Sequence, residues 1–358
     1  MKPTQQLHDL GQSLWLDNIT RTMLDDGTLE RYINELSVTG LTSNPTIFDK
    51  AISAGDAYDE QIAELREQGL DGEELFFKLA LSDLLRAAKL FEPEHRRTDR
   101  MDGYVSLEVS PLLAYKTEET IKQAADMHRR AADNVFIKIP GTPEGLPAIE
   151  ESIFAGVPIN VTLLFSSDQT IAAAEAYLKG IERRIEAGLD PDVPSVLSIF
   201  ISRWDVAIQD EVPDELKNTL GVAVGKATYR DWRRLFSSDR WNGLAEKGAR
   251  LQRLLFASTG TKDPEASDTL YIEAFAAPDT IDTMPDKTLE AFADHGRVGD
   301  PLPEDGGDAE EVMQAHRDAG IDTDALALRL QKDGAEAFVK SWNELLETIK
   351  SESARLAA

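Results

Sequence analysis

Short apolar stretches rich in β-branched residues alternate along the chain with longer stretches of helical periodicity. Eight of the apolar stretches have the length and the alternating pattern typical of β-strands. They lie at 13–19, 38–44, 103–110, 135–140, 158–165, 194–202, 253–259 and 280–284. The regular order of strand and helix predicts a parallel α/β architecture.

The segments between the strands predict helices of different lengths. Ser166-Ser167-Asp168 has the composition of a helix N-cap before an alanine-rich helix. Helices are predicted at 46–50, 58–91 in two pieces, 112–132, 169–187, 205–248 in three pieces, 289–293, 309–319 and 324–350.

Eight βα units in 358 residues predict an α/β fold of the (β/α)8 TIM-barrel type, with extra helices that include a C-terminal helical extension. The alternative is a doubly wound open sheet, but no G-x-G-x-x-G fingerprint follows any strand. We expect one domain over 1–358, in which 1–295 form the barrel and 296–358 add a loop and helices packed on it.

Five strands combine an apolar face with a face that carries polar groups. Successive side chains of a strand point to opposite faces, so residues of one parity share a side. The shared sets are Trp15 with Asp17; Ser106, Glu108 and Ser110; Phe136 with Lys138; Asn160 with Thr162; and Ser198, Phe200 and Ser202. A plain barrel core holds branched apolar residues, so this convergence predicts a catalytic site at the C-terminal mouth.

Lys138 lies in the middle of the predicted strand 135–140. Such a lysine either reaches water from an edge strand or is buried, and burial is costly unless the charge is paired or neutralised. A neutral lysine amine attacks a ketone to form a Schiff base, and two carboxylates then move the protons. Glu108 and Asp17 are candidates for that work, with a structural ion pair as the alternative.

A phosphate site needs cations or backbone N–H groups at the same mouth. Arg203 follows the sixth strand, and the Ser/Thr/Gly-rich loop 258–262, which ends in Lys262, follows the seventh. Loops after strands seven and eight often bind phosphate in these barrels. The alternative is a surface arginine followed by an ordinary turn.

Composition excludes several classes of protein. No cysteine is present, and the five histidines form no metal-binding pattern, so we expect no metal site. The net charge of −27 disfavours nucleic acid and anionic membranes as partners. No apolar stretch approaches the ~20 residues that span a bilayer, and no signal peptide is visible at 1–10. We therefore expect a cytoplasmic protein.

Several ordered motifs resemble those of the transaldolase family, in particular the bacterial type with a C-terminal helical extension. The combination is specific to the family, although single pieces such as Thr-Ser-Asn-Pro are not. The matching stretches are 11–17 (GQSLWLD), 40–48 (GLTSNPTIF), 105–109 (VSLEV), 136–140 (FIKIP), 159–166 (INVTLLFS), 198–203 (SIFISR), 257–262 (ASTGTK) and 341–346 (SWNELL).

The resemblance implies transfer of a dihydroxyacetone unit from sedoheptulose 7-phosphate to glyceraldehyde 3-phosphate, without metal or organic cofactor. It implies that Lys138 is the Schiff-base lysine, that Glu108 activates the catalytic water beside Thr162, and that Asp17 is the general acid/base. The implied dihydroxyacetone ligands are Asn44, Asn160 and Ser198; the implied phosphate ligands are Arg203 and Ser258, with Lys262.

One position departs from the family pattern. Many members carry an arginine two residues after the serine of the seventh strand, where this chain has Gly260, and we infer that Lys262 supplies the charge. Lysine binds phosphate as a point charge and lacks the bidentate geometry of arginine.

Other interpretations stay open from the sequence. One alternative is a fructose 6-phosphate aldolase, although such relatives typically have glutamine and tyrosine in place of Glu108 and Phe200. Another is a catalytically dead barrel that acts as a binding protein. The sequence does not choose between a monomer and a homodimer. Phe338 and Trp342 share one helical face, and we expect them to pack over the barrel, either in the core or near its mouth.

Overall fold

A computed structural model describes residues 1–357. Eight parallel strands form a closed barrel in sequence order, and the last strand pairs with the first. The predicted (β/α)8 barrel is therefore confirmed. The strands are β1 (Ser13–Asp17), β2 (Val38–Thr42), β3 (Val105–Glu108), β4 (Val135–Pro140), β5 (Ile159–Leu164), β6 (Ser195–Phe200), β7 (Arg253–Ala257) and β8 (Ile281–Met284).

Helices surround the barrel and extend past it at the C-terminus. Two single 3₁₀ turns, Pro111–Leu113 and Asp214–Leu216, add to them. The α-helices within 1–357 are α1 (Pro3–Asp9), α2 (Arg21–Asp25), α3 (Thr28–Leu36), α4 (Pro45–Ser53), α5 (Asp59–Glu67), α6 (Gly72–Arg97), α7 (Thr117–Arg130), α8 (Gly145–Phe154), α9 (Ser167–Glu186), α10 (Ser202–Ile208), α11 (Leu220–Leu235), α12 (Asp239–Ala245), α13 (Leu270–Ala274), α14 (Asp286–His295), α15 (Ala309–Asp318) and α16 (Thr323–Leu356).

Each predicted strand overlaps an observed one, and β4 has the predicted bounds. The others are shorter than predicted, because the alternating pattern continues into loop residues that leave the ladder. The sixth predicted strand runs too far, since Ser202 is already the first residue of α10. Ser166 caps α9 as predicted: its side chain accepts from the Gln169 backbone, and the Gln169 side chain bonds back to the Ser166 backbone in a capping box.

The helix prediction was incomplete. Five helices were missed, and the predicted helix 112–132 divides into a 3₁₀ turn and α7 because Lys116 leaves the helical conformation. All of the missed helices have ten residues or fewer, a length at which tertiary packing rather than intrinsic propensity decides whether a helix forms. They are α1, α2, α3, α8 and α13.

The lower half of the barrel interior is filled by aromatic rings and a buried arginine. The ring of Phe136 stacks on Tyr104 with centroids 4.1 Å apart and lies 6.2 Å from Trp15. Arg253 is buried at the start of β7, where its guanidinium donates to Ser13 Oγ at 2.7 Å and lies 3.9 Å from a carboxylate oxygen of Asp102. This packing seals the N-terminal end of the barrel and leaves the cleft at the other end.

The last helix, α16, packs against the C-terminal mouth of the barrel. Its Gln331 side chain donates to the carbonyl oxygens of Gly141 and Leu163, both at 3.0 Å. Farther along α16, the ring of Trp342 packs edge-on against Phe76 of α6, with centroids 5.1 Å apart. Phe338 lies on the same helical face but lines the cleft. Trp342 therefore packs in the core, whereas Phe338 lies at the mouth of the barrel.

Within residues 1–357, no helix is both long enough and apolar enough to cross a lipid bilayer.

Candidate active site

A cleft of about 800 Å³ opens at the C-terminal ends of the strands. Its floor is formed by side chains of β1, β2 and β4 to β8, and α16 supplies part of its wall. Strand ends of a parallel barrel converge on one face, which is why residues far apart in sequence meet here. The predicted site residues that line the cleft are Asp17, Asn44, Lys138, Thr162, Ser198, Arg203, Ser258 and Lys262.

Lys138 is buried at the centre of this floor, with 5% of its surface exposed. Its Nζ donates to the carbonyl oxygen of Ser43 at 3.1 Å and lies 3.4 Å from Glu108 Oε2. The pairing of β3 with β4 places Glu108 directly beside Lys138. The lysine therefore does not reach water from an edge strand, which settles one of the alternatives left by the sequence.

Glu108 stands behind Lys138 rather than in the cleft itself. Burial raises the pKa of its carboxyl group, the charge of Lys138 opposes that rise, and Asp17 adds to it. Apart from the ion pair, neither carboxylate oxygen has a hydrogen-bond partner among residues 1–357, and the same holds for the buried Thr162 hydroxyl. A buried carboxyl group with spare acceptors and a raised pKa is suited to accepting and returning a proton.

Asp17 is half-buried at the end of β1 and enters the cleft from the side. Its Oδ1 accepts a hydrogen bond of 2.8 Å from Thr42, whose hydroxyl also contacts that of Thr283 at 2.8 Å. This chain across three neighbouring strands holds the carboxylate in one orientation. The sequence did not identify Thr42 or Thr283, although Thr42 belongs to one of the recognised motifs.

A second polar chain crosses the barrel below the cleft. Asn160 donates to Ser106 Oγ at 3.1 Å and accepts from Ser198 Oγ at 2.6 Å. Asn160 is fully buried, whereas Ser198 lines the cleft. In this geometry Asn160 orients Ser198, and its predicted contact with a substrate stays a prediction.

The Asn44 side chain caps a helix with its oxygen and keeps its N–H₂ group for a second contact. It is the N-cap of α4, where its Oδ1 accepts from the Ile47 backbone at 3.1 Å. The cap fixes the amide plane at the rim of the cleft, and its N–H₂ group remains as a donor for a ligand hydroxyl.

Arg203 lies at the far wall of the cleft, next to two aromatic rings. Its guanidinium carbon is 5.2 Å from the ring centroid of Phe200 and 5.8 Å from that of Phe338. Burial lowers the pKa of this guanidinium, and only the charge of Asp17 opposes the change. No carboxylate in residues 1–357 forms an ion pair with it. A largely buried arginine without a protein counter-ion is a suitable site for an anionic ligand.

The loop after β7 approaches Arg203 from the next strand. Ser258 has a left-handed backbone with a φ of +56°, and its hydroxyl contacts that of Ser202 at 2.9 Å. Gly260 and the exposed Lys262 follow on the rim. Lys50 of α4 also lines the cleft; it was missed although it lies at helical spacing from Thr46 and Ile47, which line it too.

The charges of the cleft contrast with those of the whole chain. Its lining includes four cations and one carboxylate, whereas the chain has a net charge of −27. An acidic surface repels anions, so a local cluster of positive charge is needed to hold a phosphorylated ligand. The cations are Lys50, Lys138, Arg203 and Lys262.

The donor set suits organic acid–base chemistry. Among residues 1–357, no three His, Asp or Glu side chains come together as a metal site. The arrangement offers a buried amine beside a carboxyl group, a second carboxylate at the side of the cleft, and the cations Arg203 and Lys262 in its lining. Together these groups allow covalent chemistry at a ketone carbon of a phosphorylated compound.

Comparison with known proteins agrees with this chemistry. A family model described as transaldolase/fructose-6-phosphate aldolase matches residues 14–349. The chain is similar to the transaldolase of Thermobifida fusca, with 41% identity over 98% of both chains. It is also similar to the transaldolase of Renibacterium salmoninarum, with 42% identity over 97% of this chain and 96% of the relative. The transaldolase of Mycobacterium marinum is 40% identical over 97% of this chain and 96% of its own.

Proposed function

The chain belongs to the transaldolase/fructose-6-phosphate aldolase family and is a transferase of the transaldolase type, and we propose that Lys138 carries its reaction as a Schiff base. The proposed reaction moves a dihydroxyacetone unit from sedoheptulose 7-phosphate to glyceraldehyde 3-phosphate, in the non-oxidative pentose phosphate pathway of the cytoplasm. The products are erythrose 4-phosphate and fructose 6-phosphate. The buried contact of 3.4 Å between Lys138 Nζ and Glu108 Oε2 is the observation that carries the proposal.

The first step is activation of the amine. Transfer of one proton from Lys138 to Glu108 leaves two neutral groups in a site that excludes most water, and burial favours the protonated form of Glu108. The neutral amine attacks the C2 ketone of the donor sugar. Glu108, working through a water molecule beside Thr162, then supplies the proton with which the carbinolamine hydroxyl leaves as water.

Cleavage of the carbon–carbon bond follows. Asp17, oriented by Thr42, accepts the proton of the C4 hydroxyl while the bond between C3 and C4 breaks and erythrose 4-phosphate leaves. The electron pair of that bond remains on the dihydroxyacetone unit as an enamine attached to Lys138. Reversal of these steps with glyceraldehyde 3-phosphate forms the new bond, and Asp17 returns its proton to the acceptor oxygen.

Substrate binding divides between two ends of the cleft. Ser198 and the Asn44 amide are placed to bind hydroxyl groups of the dihydroxyacetone unit. Arg203 provides a planar fork of donors for the phosphate group, and Ser258 and Lys262 stand on the neighbouring loop. We assign Lys262 to the phosphate group because Gly260 stands where many family members have an arginine, and glycine supplies no charge.

Borohydride trapping tests this proposal. The wild-type protein is incubated with fructose 6-phosphate and sodium borohydride, and the modified residue is located by mass spectrometry. We expect a reduced dihydroxyacetone adduct on Lys138, no adduct in Lys138→Ala, and a normal adduct in the control Lys179→Ala, which removes an exposed lysine. An adduct elsewhere, or none on the wild type, contradicts the proposed nucleophile.

A fructose 6-phosphate aldolase is the nearest competing function, because the matched family model covers both activities. Glu108 and Phe200 favour transfer, since the aldolases of this family typically have glutamine and tyrosine there. The two activities separate when fructose 6-phosphate is supplied without any acceptor. We expect release of free dihydroxyacetone at a small fraction of the transfer rate with erythrose 4-phosphate; equal rates favour the aldolase.

A further inference from the structure

The C-terminal helix α16 lies against the proposed phosphate end of the cleft. Phe338 is buried and lines the cleft wall, and Leu330 lines it two turns earlier. Between them, Gly334 brings the helix backbone close to Arg203: a β-carbon at this position would lie 3.4 Å from Arg203 Nη1. The helix therefore touches Arg203 through two of its residues, although it lies more than 120 residues later in the sequence.

Phe338 and Phe200 form an aromatic corner against the Arg203 guanidinium. The two ring centroids are 6.5 Å apart, which is well below the separation that rings on opposite faces of the guanidinium would need. Both rings therefore lie toward one side of the group. A cation over a ring face is attracted by the ring quadrupole, most strongly where water is excluded.

This contact compensates for an otherwise unfavourable burial. Burial lowers the pKa of the Arg203 guanidinium because the charged form loses hydration. Within residues 1–357 no carboxylate is paired with it to restore that loss. The two rings supply part of the missing stabilisation, and they bring no oxygen atom that would accept from the N–H donors. A carboxylate partner would instead compete with a phosphate group for the same donors.

We propose that Phe338 is a positioning residue for Arg203, and that α16 thereby determines the preference of the enzyme for phosphorylated sugars. The proposal rests on the function proposed above. The competing view is that Phe338 only fills the core. The two views differ in what a substitution changes: a packing role alters stability and all substrates alike, whereas a positioning role alters the preference for phosphate.

The test compares kcat/KM for glyceraldehyde 3-phosphate with kcat/KM for unphosphorylated glyceraldehyde, both as acceptors with sedoheptulose 7-phosphate as donor and both followed by release of erythrose 4-phosphate. Phe338→Leu retains much of the volume and removes the ring face. We expect it to lower this ratio roughly 5- to 20-fold. Phe338→Tyr retains a ring face, and its ratio stays within about twofold of wild type.

The control is Phe91→Leu, which makes the same change in a fully buried residue of α6 that does not line the cleft. We expect Phe91→Leu to lower the melting temperature and to leave the ratio within about twofold of wild type. Trapping of the Lys138 adduct in Phe338→Leu shows that the rest of the site is intact. A wild-type ratio in a folded Phe338→Leu overturns the proposal and leaves the core-packing view.

Gly334→Ala tests the same contact from the other side. Alanine is favoured over glycine inside a helix by about 1 kcal/mol, so this variant is expected to fold. Its methyl group would meet Arg203 Nη1 at 3.4 Å and the Leu163 side chain at 3.0 Å. We expect a lower ratio here too, and an unchanged ratio counts against the proposal.

The wild-type protein separates failure of this inference from failure of the proposed function. If wild type shows no preference for the phosphorylated acceptor while Lys138 is still trapped, the phosphate site of the proposed function fails together with this inference. If trapping fails, the Schiff-base assignment fails first.

Discussion

Gln331 of α16 donates a hydrogen bond of 3.0 Å to the carbonyl oxygen of Leu163 in β5. Leu163 has a left-handed backbone with a φ of +57°, which is unfavourable for a residue with a branched side chain. The register between β5 and β6 shifts at this point, so the strand bulges directly after Thr162. Bulges next to active sites redirect a side chain, and here the C-terminal helix holds the bulge in place.

Gln331→Leu tests this support. The substitution leaves the buried carbonyl oxygens of Gly141 and Leu163 without a donor, and each loss costs roughly 1–3 kcal/mol. We expect a melting temperature several degrees lower and a reduced kcat, measured by calorimetry and a transfer assay. The control Gln314→Leu, at an exposed site on α15, is expected to behave like wild type. A wild-type melting temperature for Gln331→Leu contradicts this role.

Glu108→Gln removes the proton acceptor beside Lys138 and keeps the shape of the side chain. We expect kcat and the rate of borohydride-trappable adduct formation to fall together, roughly 100-fold or more, because the same group serves amine activation and dehydration. Rapid-quench experiments, in which borohydride stops the reaction at set times, measure the rate of adduct formation. Glu118→Gln, in the exposed first turn of α7, is the control. A normal adduct rate in Glu108→Gln would show that another group activates the amine.

Asp17→Asn separates cleavage from Schiff-base formation. Asparagine retains an oxygen for the hydrogen bond from Thr42 but cannot accept the C4 hydroxyl proton. We expect kcat to fall roughly 100-fold or more, while the Lys138 adduct of fructose 6-phosphate accumulates to at least the wild-type level. Steady-state rates and intact-protein mass spectra give the two readouts. Parallel loss of both would assign Asp17 to an earlier step.

Lys262→Ala removes an exposed cation of the phosphate end. Its interaction with the phosphate group is present in both the ground state and the transition state, so we expect KM for phosphorylated sugars to rise far more than kcat falls. The increase becomes smaller at high salt, because the contact is exposed. Lys247→Ala, an exposed lysine outside the cleft, serves as the control. An unchanged KM removes Lys262 from the site.

Asp282 of β8 gives a prediction about pH. It is fully buried, accepts a hydrogen bond of 2.8 Å from Thr259, and has a pKa raised well above its ordinary value by burial. The folded protein therefore keeps this proton at pH values where the unfolded chain has lost it. Its contribution to stability is fully present below the unfolded pKa, near 3.9, and is lost as pH rises toward the folded pKa.

Asp282→Asn removes that titration and keeps an acceptor for Thr259. We expect the free energy of unfolding of wild type, relative to Asp282→Asn, to decrease as pH rises from 4 to 7, by at most about 1.4 kcal/mol per pH unit. Urea denaturation at each pH measures it. For the exposed Asp210→Asn we expect no comparable trend above pH 5. A difference independent of pH for Asp282→Asn would show that Asp282 is charged in the folded protein.

Much of the fold was predictable from local sequence patterns, and the errors in the predicted strands and helices have local causes. The strand 135–140 has the bounds of β4 because Pro140 and the following loop end the apolar run abruptly. The strand 194–202 was too long because Ile201 and Ser202 continue the alternation after the ladder has ended and α10 has begun. The helix α8 was missed because Gly145 and Pro147 at its start suggest a loop, whereas packing against neighbouring helices makes it helical.

The candidate site was predictable where it depends on strand parity. Lys138, Glu108 and Thr162 follow from alternation, since inward-facing polar residues of adjacent parallel strands converge at one mouth. Thr42 and Thr283 were not identified, because a threonine in a strand is common and only the contacts of Thr42 with Asp17 and with Thr283 reveal what these side chains do. Lys50 was not identified because its role depends on the direction of α4 relative to the barrel.

The sequence alone determined the barrel, the family resemblance and the residues that carry the proposed chemistry. These depend on periodicity and on short motifs, which are properties of neighbouring residues. Only the tertiary structure decided that Lys138 is buried against Glu108, that Asn160 lies below the cleft, and that Phe338 of the last helix contacts Arg203. These relationships join residues far apart in the chain, and they are set by strand register, barrel closure and helix docking, which no local pattern encodes.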